Sequence, residues 1–201
     1  AINSSTGALT FSSAPNYESP TDSNSGNDYV VVVRATHSAS NTSDQTLTVS
    51  VADVDDTAAS ITGPSGSAGD STSTKSINEN TTAIHTFSAN ESVTWSLNGG
   101  ADTSKFSINS STGALTFSSA PDYESPTDTN SDNDYVVVVR ATDSAGNTSD
   151  QTLTVSVNGV NETPSNISLS SSSFNENIAS SSTIATLSSS DPDTSDTHTY
   201  S

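Results

Sequence analysis

Acidic and amide side chains fall in short clusters that recur along this sequence. Pro121-Asp122-Tyr123-Glu124 has the counterpart Pro15-Asn16-Tyr17-Glu18, and Gly159-Val160-Asn161-Glu162 has the counterpart Asp53-Val54-Asp55-Asp56. Hard cations such as Ca²⁺ bind six to eight oxygen atoms from carboxylates, amides and backbone carbonyls. Carboxylates crowded together without a cation repel one another. The clusters therefore predict calcium binding, with plain surface charge as the alternative.

Further acidic residues follow the same plan. Glu79 and Glu176 occupy matching positions in the related segments 76–80 and 173–177, and Asp143 follows a valine-rich run. Isolated acidic residues are expected to be solvated surface charge, and four are assigned to this class: Asp44, Asp70, Asp102 and Asp150. The three histidines, His37, His85 and His198, share no metal-ligand spacing and are interpreted as incidental.

The clusters recur because the chain contains a tandem repeat. Residues 2–54 and 108–160 are related by an offset of 106 residues (108 − 2). Only seven pairs differ: Asn16/Asp122, Ser23/Thr129, Gly26/Asp132, His37/Asp143, Ser40/Gly146, Ala52/Asn158 and Asp53/Gly159. A period of about a hundred residues is the size of a domain that folds by itself.

This register predicts three segments. Residues 1–56 form the C-terminal half of one repeat, residues 57–161 form a complete repeat, and residues 162–201 form the N-terminal part of a third. Both ends of the chain fall inside repeats, so we expect it to be a piece of a longer array. Residues 162–201 are expected to pack poorly by themselves.

Short alternating segments must position the acidic clusters. Val93, Trp95 and Leu97 alternate with polar residues, as do Leu153, Val155 and Val157, which indicates half-buried strands. Residues 135–139 are β-prone, and no segment has a helical period. The pattern predicts an all-β fold of tandem Greek-key β-sandwich repeats, with a barrel as the alternative. Trp95 is expected in the core rather than on a sugar-binding surface.

Composition excludes several classes of function. The 201 residues include 23 acidic and 4 basic residues, a net charge of −19, which disfavours nucleic acid and anionic membranes as partners. There is no cysteine, and no apolar run approaches the roughly 20 residues that span a bilayer. Near-identical halves, without a phosphate loop or a GxSxG motif, predict that the chain is not an enzyme.

The acidic motifs, in their order along the chain, resemble the calcium-binding signature of cadherin repeats. Glu79 matches the Glu near the first strand, and Asp122 and Glu124 match the Asp-Arg-Glu motif, with Tyr123 in place of Arg. Asn161-Glu162 and Asp53 to Asp56 resemble the acidic linker. Asp191 and Asp193 match the Asp-x-Asp motif of the next repeat, and Asp143 matches its later Asp. Residues 162–201 are similar to bacterial cadherin-like repeats of giant extracellular, RTX-type adhesins.

The resemblance implies calcium sites at two junctions between repeats. The first would use Asn16, Glu18, Asp53, Asp55, Asp56 and Asp143, and the second Glu79, Asp122, Glu124, Asn161, Glu162, Asp191 and Asp193. The complete repeat departs from the family pattern at Ala89-Asn90-Glu91, where Glu91 replaces Asp-x-Asp only in part. His37 and Gly159 also lack the carboxylates of their counterparts, so the two junctions are expected to differ in affinity.

Three functions follow from this resemblance and composition. The leading one is a calcium-rigidified spacer in an extracellular, cell-surface adhesin, contacting neighbouring repeats of its own chain. A second is a ligand-binding module, whose ligand is another copy of itself, a polysaccharide or another cell-surface protein. A third is an Ig-like structural repeat that does not need calcium.

Overall fold

The computed structural model describes all residues 1–201, in two compact units, residues 1–56 and residues 57–201. The first unit contains an antiparallel ribbon of β1 (Asp28–Thr36) and β2 (Thr42–Ser50), with Tyr29 opposite Val49. An isolated antiparallel bridge joins Ile2 to Leu9. Residues 1–56 contain no further strand.

The second unit begins with the strands of the complete repeat. They are β3 (Ile61–Thr62), β4 (Thr72–Asn78), β5 (Ala83–Thr86), β6 (Ser88–Ala89), β7 (Thr94–Leu97), β8 (Phe106–Ile108), β9 (Ala114–Phe117), β10 (Asp134–Thr142) and β11 (Thr148–Asn158). A single 3-10 turn, Thr103–Lys105, precedes β8, and the chain has no α-helix. No helix therefore has the length and apolar character needed to cross a membrane.

These strands form a sandwich. One sheet has the order β4-β11-β10-β7, and β5-β9-β8 and β3-β6 form the other sheets of the repeat. Strand β4 runs parallel to β11, with Ser76 beside Ser156, while the remaining pairs are antiparallel. The predicted all-β, Greek-key sandwich is confirmed, and the barrel alternative is wrong.

The core lies between the sheets because apolar residues alternate along the strands. Tyr135, Val137, Val139 and Ala141 point inward from β10, and Val137 is 0% exposed. Burying a valine or leucine side chain fully stabilises the fold by about 1.5–3 kcal/mol. Fourteen residues form the apolar cluster: Ile61, Ile84, Phe87, Trp95, Phe106, Leu115, Phe117, Tyr135, Val137, Val139, Ala141, Leu153, Val155 and Val157.

Trp95 belongs to this core, as predicted. It is 5% exposed and its ring lies 5.9 Å from that of Phe87. Gly113 approaches the indole closely: a Cβ there would lie 2.9 Å from Trp95 Nε1, and the backbone φ of Gly113 is +71°. A larger residue would therefore meet both a steric clash and a left-handed backbone.

Residues 162–201 form only a second ribbon. Strand β12 (Ser165–Leu169) pairs antiparallel with β13 (Leu187–Ser190), and every residue of β12 is exposed. The apolar side chains of this segment are largely in water, in keeping with the expected poor packing.

Candidate functional site

The carboxylate of Glu79 is held by the backbone of two loops. Glu79 directly follows β4 and is 2% exposed. Its Oε1 accepts a hydrogen bond from the Val160 N–H at 2.7 Å, and its Oε2 accepts one from the Tyr123 N–H at 2.8 Å. The Glu79 N–H donates to the Asn158 carbonyl at 2.9 Å. A buried carboxylate thus links the end of β4, the loop before β10 and the segment after β11.

Asp122 and Glu124 extend this carboxylate group towards water. Glu79, Asp122 and Glu124 each offer an oxygen atom, and the three atoms lie within 4.8 Å of one another. Asp122 Oδ1 accepts the Ser125 N–H at 3.0 Å, which fixes the turn that carries both exposed residues. One hard cation could bind all three oxygen atoms.

The charge around Glu124 is strongly negative. Partial removal from water raises the pKa of Glu124, and the negative charges of Glu79, Asp193 and Glu162 raise it further. The two last residues come from the segment after the complete repeat. Five carboxylates, counting Asp122, therefore act on the same small region of unit 57–201.

Backbone and amide hydrogen bonds join the following segment to this region. The Glu162 N–H donates to Asp193 Oδ2 at 2.6 Å, and Asn80 Nδ2 donates to Glu162 Oε1 at 3.2 Å. Asn161 Nδ2 donates to the Glu162 carbonyl at 3.0 Å. These hydrogen bonds connect the segment before β12 and the loop after β13 to the residues that follow β4.

His198 has a hydrogen-bonding partner that its place in the sequence did not indicate. Its Nε2 lies 2.8 Å from Asp191 Oδ2, and the Asp191 side chain is only 5% exposed. Asp191 Oδ1 also accepts the Asp193 N–H at 3.1 Å. This contact left no regular spacing in the sequence.

The Asp143 carboxylate closes its own turn. Its Oδ1 accepts the N–H groups of Ala145, Gly146 and Asn147 at 2.8–2.9 Å, and Oδ2 accepts Asn147 Nδ2 at 2.9 Å. Burial opposes ionisation, but these hydrogen bonds outweigh it and lower the pKa of Asp143. His37, at the matching position, accepts the Ala39 N–H through Nδ1 at 3.2 Å. Each residue therefore has a turn-forming role.

The predicted first-junction ligands are divided between the two units. Glu18, Asp53, Asp55 and Asp56 are exposed in residues 1–56, whereas Asp143 belongs to residues 57–201. Asn16 Oδ1 accepts the Ser19 N–H at 2.8 Å, as Asp122 does with Ser125. Asn16 thus preserves the turn without the charge, and the first ligand set remains a prediction.

Two buried aspartates carry structural roles that sequence reasoning missed. Asp102, expected at the solvated surface, is 3% exposed and accepts hydrogen bonds from Thr129 N, Thr129 Oγ1 and Val136 N. Asp128 accepts the N–H groups of Asp132 and Asn133. The available signal for Asp128 was its recurrence as Asp22, whose carboxylate binds the corresponding loop through Gly26 and Asn27.

The other three surface aspartates lie where expected but have partners. Asp44 and Asp150 form two-point ion pairs with Arg34 and Arg140, and Asp70 accepts the Ser67 N–H.

Packing explains why position 159 is a glycine: a Cβ there would lie 3.0 Å from the Tyr123 ring. An aspartate at position 159, as at the matching Asp53, would therefore require the Tyr123 ring to shift.

Comparisons with known proteins agree with this architecture. The family model described as Cadherin domain matches residues 72–158. PcdhgB3 EC1-4 is 19% identical with a TM-score of 0.50, over 87% of this chain and 42% of that chain. Human CDH23 EC21-23 is 20% identical with a TM-score of 0.47, over 87% of this chain and 57% of that chain.

The Protocadherin GammaB4 extracellular domain is 19% identical with a TM-score of 0.49, over 87% of this chain and 28% of that chain. This chain thus spans between 28% and 57% of the length of these three structures. At 19% identity, the likeness to PcdhgB3 EC1-4 concerns the fold alone. No curated protein matches the sequence. Residues 72–158 are therefore similar to the Cadherin domain family, and the fold of the complete repeat is cadherin-like.

Proposed function

We propose that this chain is a calcium-binding, calcium-rigidified spacer from the extracellular part of a large cell-surface adhesin. The complete repeat at residues 57–161 would act with the repeats before and after it, and the adhesin would resemble bacterial RTX-type proteins. Its adhesion partner would be another cell-surface protein or a polysaccharide, bound through the larger protein.

One observation carries the proposal: oxygen atoms of Glu79, Asp122 and Glu124 lie within 4.8 Å of one another, beside the charges of Glu162 and Asp193. The basic side chains Arg34, Arg140 and His198 contact Asp44, Asp150 and Asp191, so these contacts do not neutralise the group. A divalent cation would replace repulsion with coordination, which supports calcium over plain surface charge.

Rigidity would follow from which segments supply the oxygen atoms. Glu79, Asp122 and Glu124 belong to the complete repeat, whereas Glu162 and Asp193 belong to the segment that follows it. An ion bound to both sets would fix one segment against the other. Without the ion, the negative charges would favour separation of the two segments.

The expected affinity is that of extracellular modules, with a Kd on the order of 10⁻⁴ to 10⁻³ M. At a calcium concentration ten times the Kd, binding to the folded state alone stabilises it by roughly 1.4 kcal/mol per site, from RT ln(1 + [L]/Kd). Saturation of the second junction is therefore expected to raise the melting temperature measurably.

Calorimetric titration with calcium, combined with melts in calcium and in EDTA, tests the proposal. The variants Asp122→Asn and Glu124→Gln are expected to weaken binding and to reduce the calcium-dependent rise in melting temperature. Asp70→Asn is the matched control, because Asp70 precedes β4 and Glu79 follows it. Seven strand residues separate them, or about 23 Å at 3.3 Å per residue. Identical melts in calcium and EDTA, with no heat of binding, would refute calcium binding.

A further inference from the structure

The sequence contains two Asn-Gly pairs, Asn98-Gly99 and Asn158-Gly159. An asparagine side chain can react with the backbone nitrogen of the next residue, and glycine favours this reaction because it has no Cβ to shield that nitrogen. The tandem copy has Ala52-Asp53 in place of Asn158-Gly159, so residues 1–56 contain no such pair. The two pairs share their chemistry and differ in their surroundings.

The pair at Asn158 is unrestrained by side-chain contacts. Asn158 ends β11, and its side chain is exposed on the side of the strand opposite the buried Val157. The Asn158 side chain has no hydrogen-bond partner, and the Gly159 N–H has no acceptor. The Tyr123 ring lies where a side chain at position 159 would begin, with a Cβ there only 3.0 Å away. Packing therefore retains the glycine that makes this pair reactive.

The pair at Asn98 is held in place. Asn98 Nδ2 donates a hydrogen bond to Asp150 Oδ2 at 3.0 Å, and the Asn98 N–H donates to the Val138 carbonyl at 2.9 Å. The Val138 N–H in turn donates to the Gly99 carbonyl at 2.8 Å. The side chain must rotate to bring its carbonyl carbon to the Gly99 nitrogen, and the contact with Asp150 opposes this rotation. The fold thus leaves one of the two pairs free to react.

We propose that Asn158 is a site of spontaneous deamidation, which alters the connection between the complete repeat and the segment after it. The Gly159 nitrogen forms a bond to Cγ of Asn158, and the bond from Cγ to Nδ2 breaks. The Gly159 proton leaves with Nδ2 as ammonia, and a cyclic succinimide remains. Water then opens the ring at either of its carbonyl carbons, which gives aspartate or isoaspartate.

Isoaspartate would change the contacts of Glu79, because it places an extra carbon in the backbone. The Glu79 N–H donates to the Asn158 carbonyl at 2.9 Å, and Glu79 Oε1 accepts the Val160 N–H at 2.7 Å. One residue therefore contacts both ends of the stretch 158–160. The added carbon lengthens this stretch by about 1.5 Å, so the two hydrogen bonds cannot both keep their geometry. Loss of either bond leaves a polar group of a buried residue without its partner.

Peptide mass spectrometry of the full chain, incubated in EDTA at mildly alkaline pH, tests the proposal. A mass increase that corresponds to replacement of NH₂ by OH is expected to accumulate at Asn158. In the folded chain, Asn98 should react at least about tenfold more slowly, which corresponds to about 1.4 kcal/mol and is near the lower end of what a hydrogen bond to a charged group contributes. In urea, where neither side chain is held, the two pairs should react at similar rates.

Asn158→Ala is the matched variant, because Ala52 occupies this position in the tandem copy. Incubation should make the unaltered chain a substrate for an isoaspartate-specific carboxyl methyltransferase, and the variant should lose this labelling at position 158. The incubated chain that carries isoaspartate should melt at least about 4 °C lower in EDTA, as followed by Trp95 fluorescence. The incubated variant should keep the melting temperature that it has when fresh.

Two results would overturn the proposal: no mass increase at Asn158, or equal rates at Asn158 and Asn98 in the folded chain. A chain with isoaspartate at position 158 and an unchanged melting temperature would overturn the expected effect on Glu79. The inference goes beyond calcium binding, since the reaction and the melts both take place in EDTA. Its failure would therefore leave the proposed calcium site untouched.

Discussion

Replacing Glu79 by glutamine separates the structural role of its carboxylate from its predicted role in calcium binding. Glu79 accepts the Val160 and Tyr123 N–H groups through different oxygen atoms. Glutamine keeps one acceptor and turns an NH₂ group towards the other N–H. A buried donor left without an acceptor costs about 1–3 kcal/mol. This cost should be present even without calcium.

The expected loss can be expressed as a shift in melting temperature. For a domain of this size, 1 kcal/mol corresponds to roughly 4–8 °C, so Glu79→Gln should melt about 4–24 °C lower in EDTA. In calcium at ten times the Kd the difference should widen by about 1.4 kcal/mol, because the variant also loses a ligand. Trp95, the single tryptophan, lies in the core of the complete repeat and reports its unfolding by fluorescence.

Asp70→Asn again controls for loss of one negative charge, since Asp70 is exposed at the opposite end of β4. Wild-type stability of Glu79→Gln in EDTA would refute the buried two-acceptor arrangement. A full calcium-dependent shift in the variant would instead show that Glu79 is not a ligand. The two outcomes are independent, so one measurement series tests both parts of the reasoning.

Three other perturbations have defined outcomes. The raised pKa of Glu124 means that the folded state binds the Glu124 proton more tightly than the unfolded state does. Stability in EDTA should therefore fall as pH rises from the ordinary pKa of 4.5 through the raised pKa. Glu124→Gln should reduce this pH dependence of the melting temperature. For Asp102, burial opposes ionisation, but hydrogen bonds and Lys105 lower its pKa, so stability should fall as pH drops from the ordinary value of 3.8 through the lowered pKa. Asp102→Asn should cost about 1–3 kcal/mol in denaturant titrations. Val137→Ala should lower the Trp95-monitored melting temperature, at a cost of roughly 2–3 kcal/mol. Val31→Ala should leave this melting temperature unchanged, because Val31 and Val137 lie in different units. Equal shifts would contradict the division of the chain into two units.

The strands and the core were predictable because their signal is local and repeated. Inward residues alternate along β10 and β11, and the tandem copy shows the same pattern twice. Sheet order was not predictable from these patterns. The parallel pairing of β4 with β11 joins residues about 80 positions apart, for example Ser76 with Ser156, and leaves no periodic mark in the sequence.

The acidic clusters were predictable as groups, but the task of each carboxylate was not. The recurrence of Glu79 as Glu176 marked Glu79 as a candidate ligand but did not indicate its burial between two N–H groups. Nothing in the sequence separates Asp102, buried beside Thr129, from an exposed carboxylate such as Asp70. Burial of these groups depends on loops brought together by the fold. Asp191 and His198 illustrate the same limit, because their contact crosses a turn that neither residue type predicts.

The seven differences between the tandem copies avoid the core and alter the junction chemistry. Three of the seven affect predicted ligand positions: Asn16/Asp122, His37/Asp143 and Asp53/Gly159. At the first two positions the copies keep the same turn hydrogen bonds. At all three positions, one copy has a carboxylate where the other has an amide, an imidazole or no side chain. Asn16 and Asp122 accept the same backbone hydrogen bond, which removes turn formation as the reason for the difference. Because the core is unchanged while the charge differs, we expect these differences to act on cation affinity more than on folding, and we predict that calcium fills the two junctions at different concentrations.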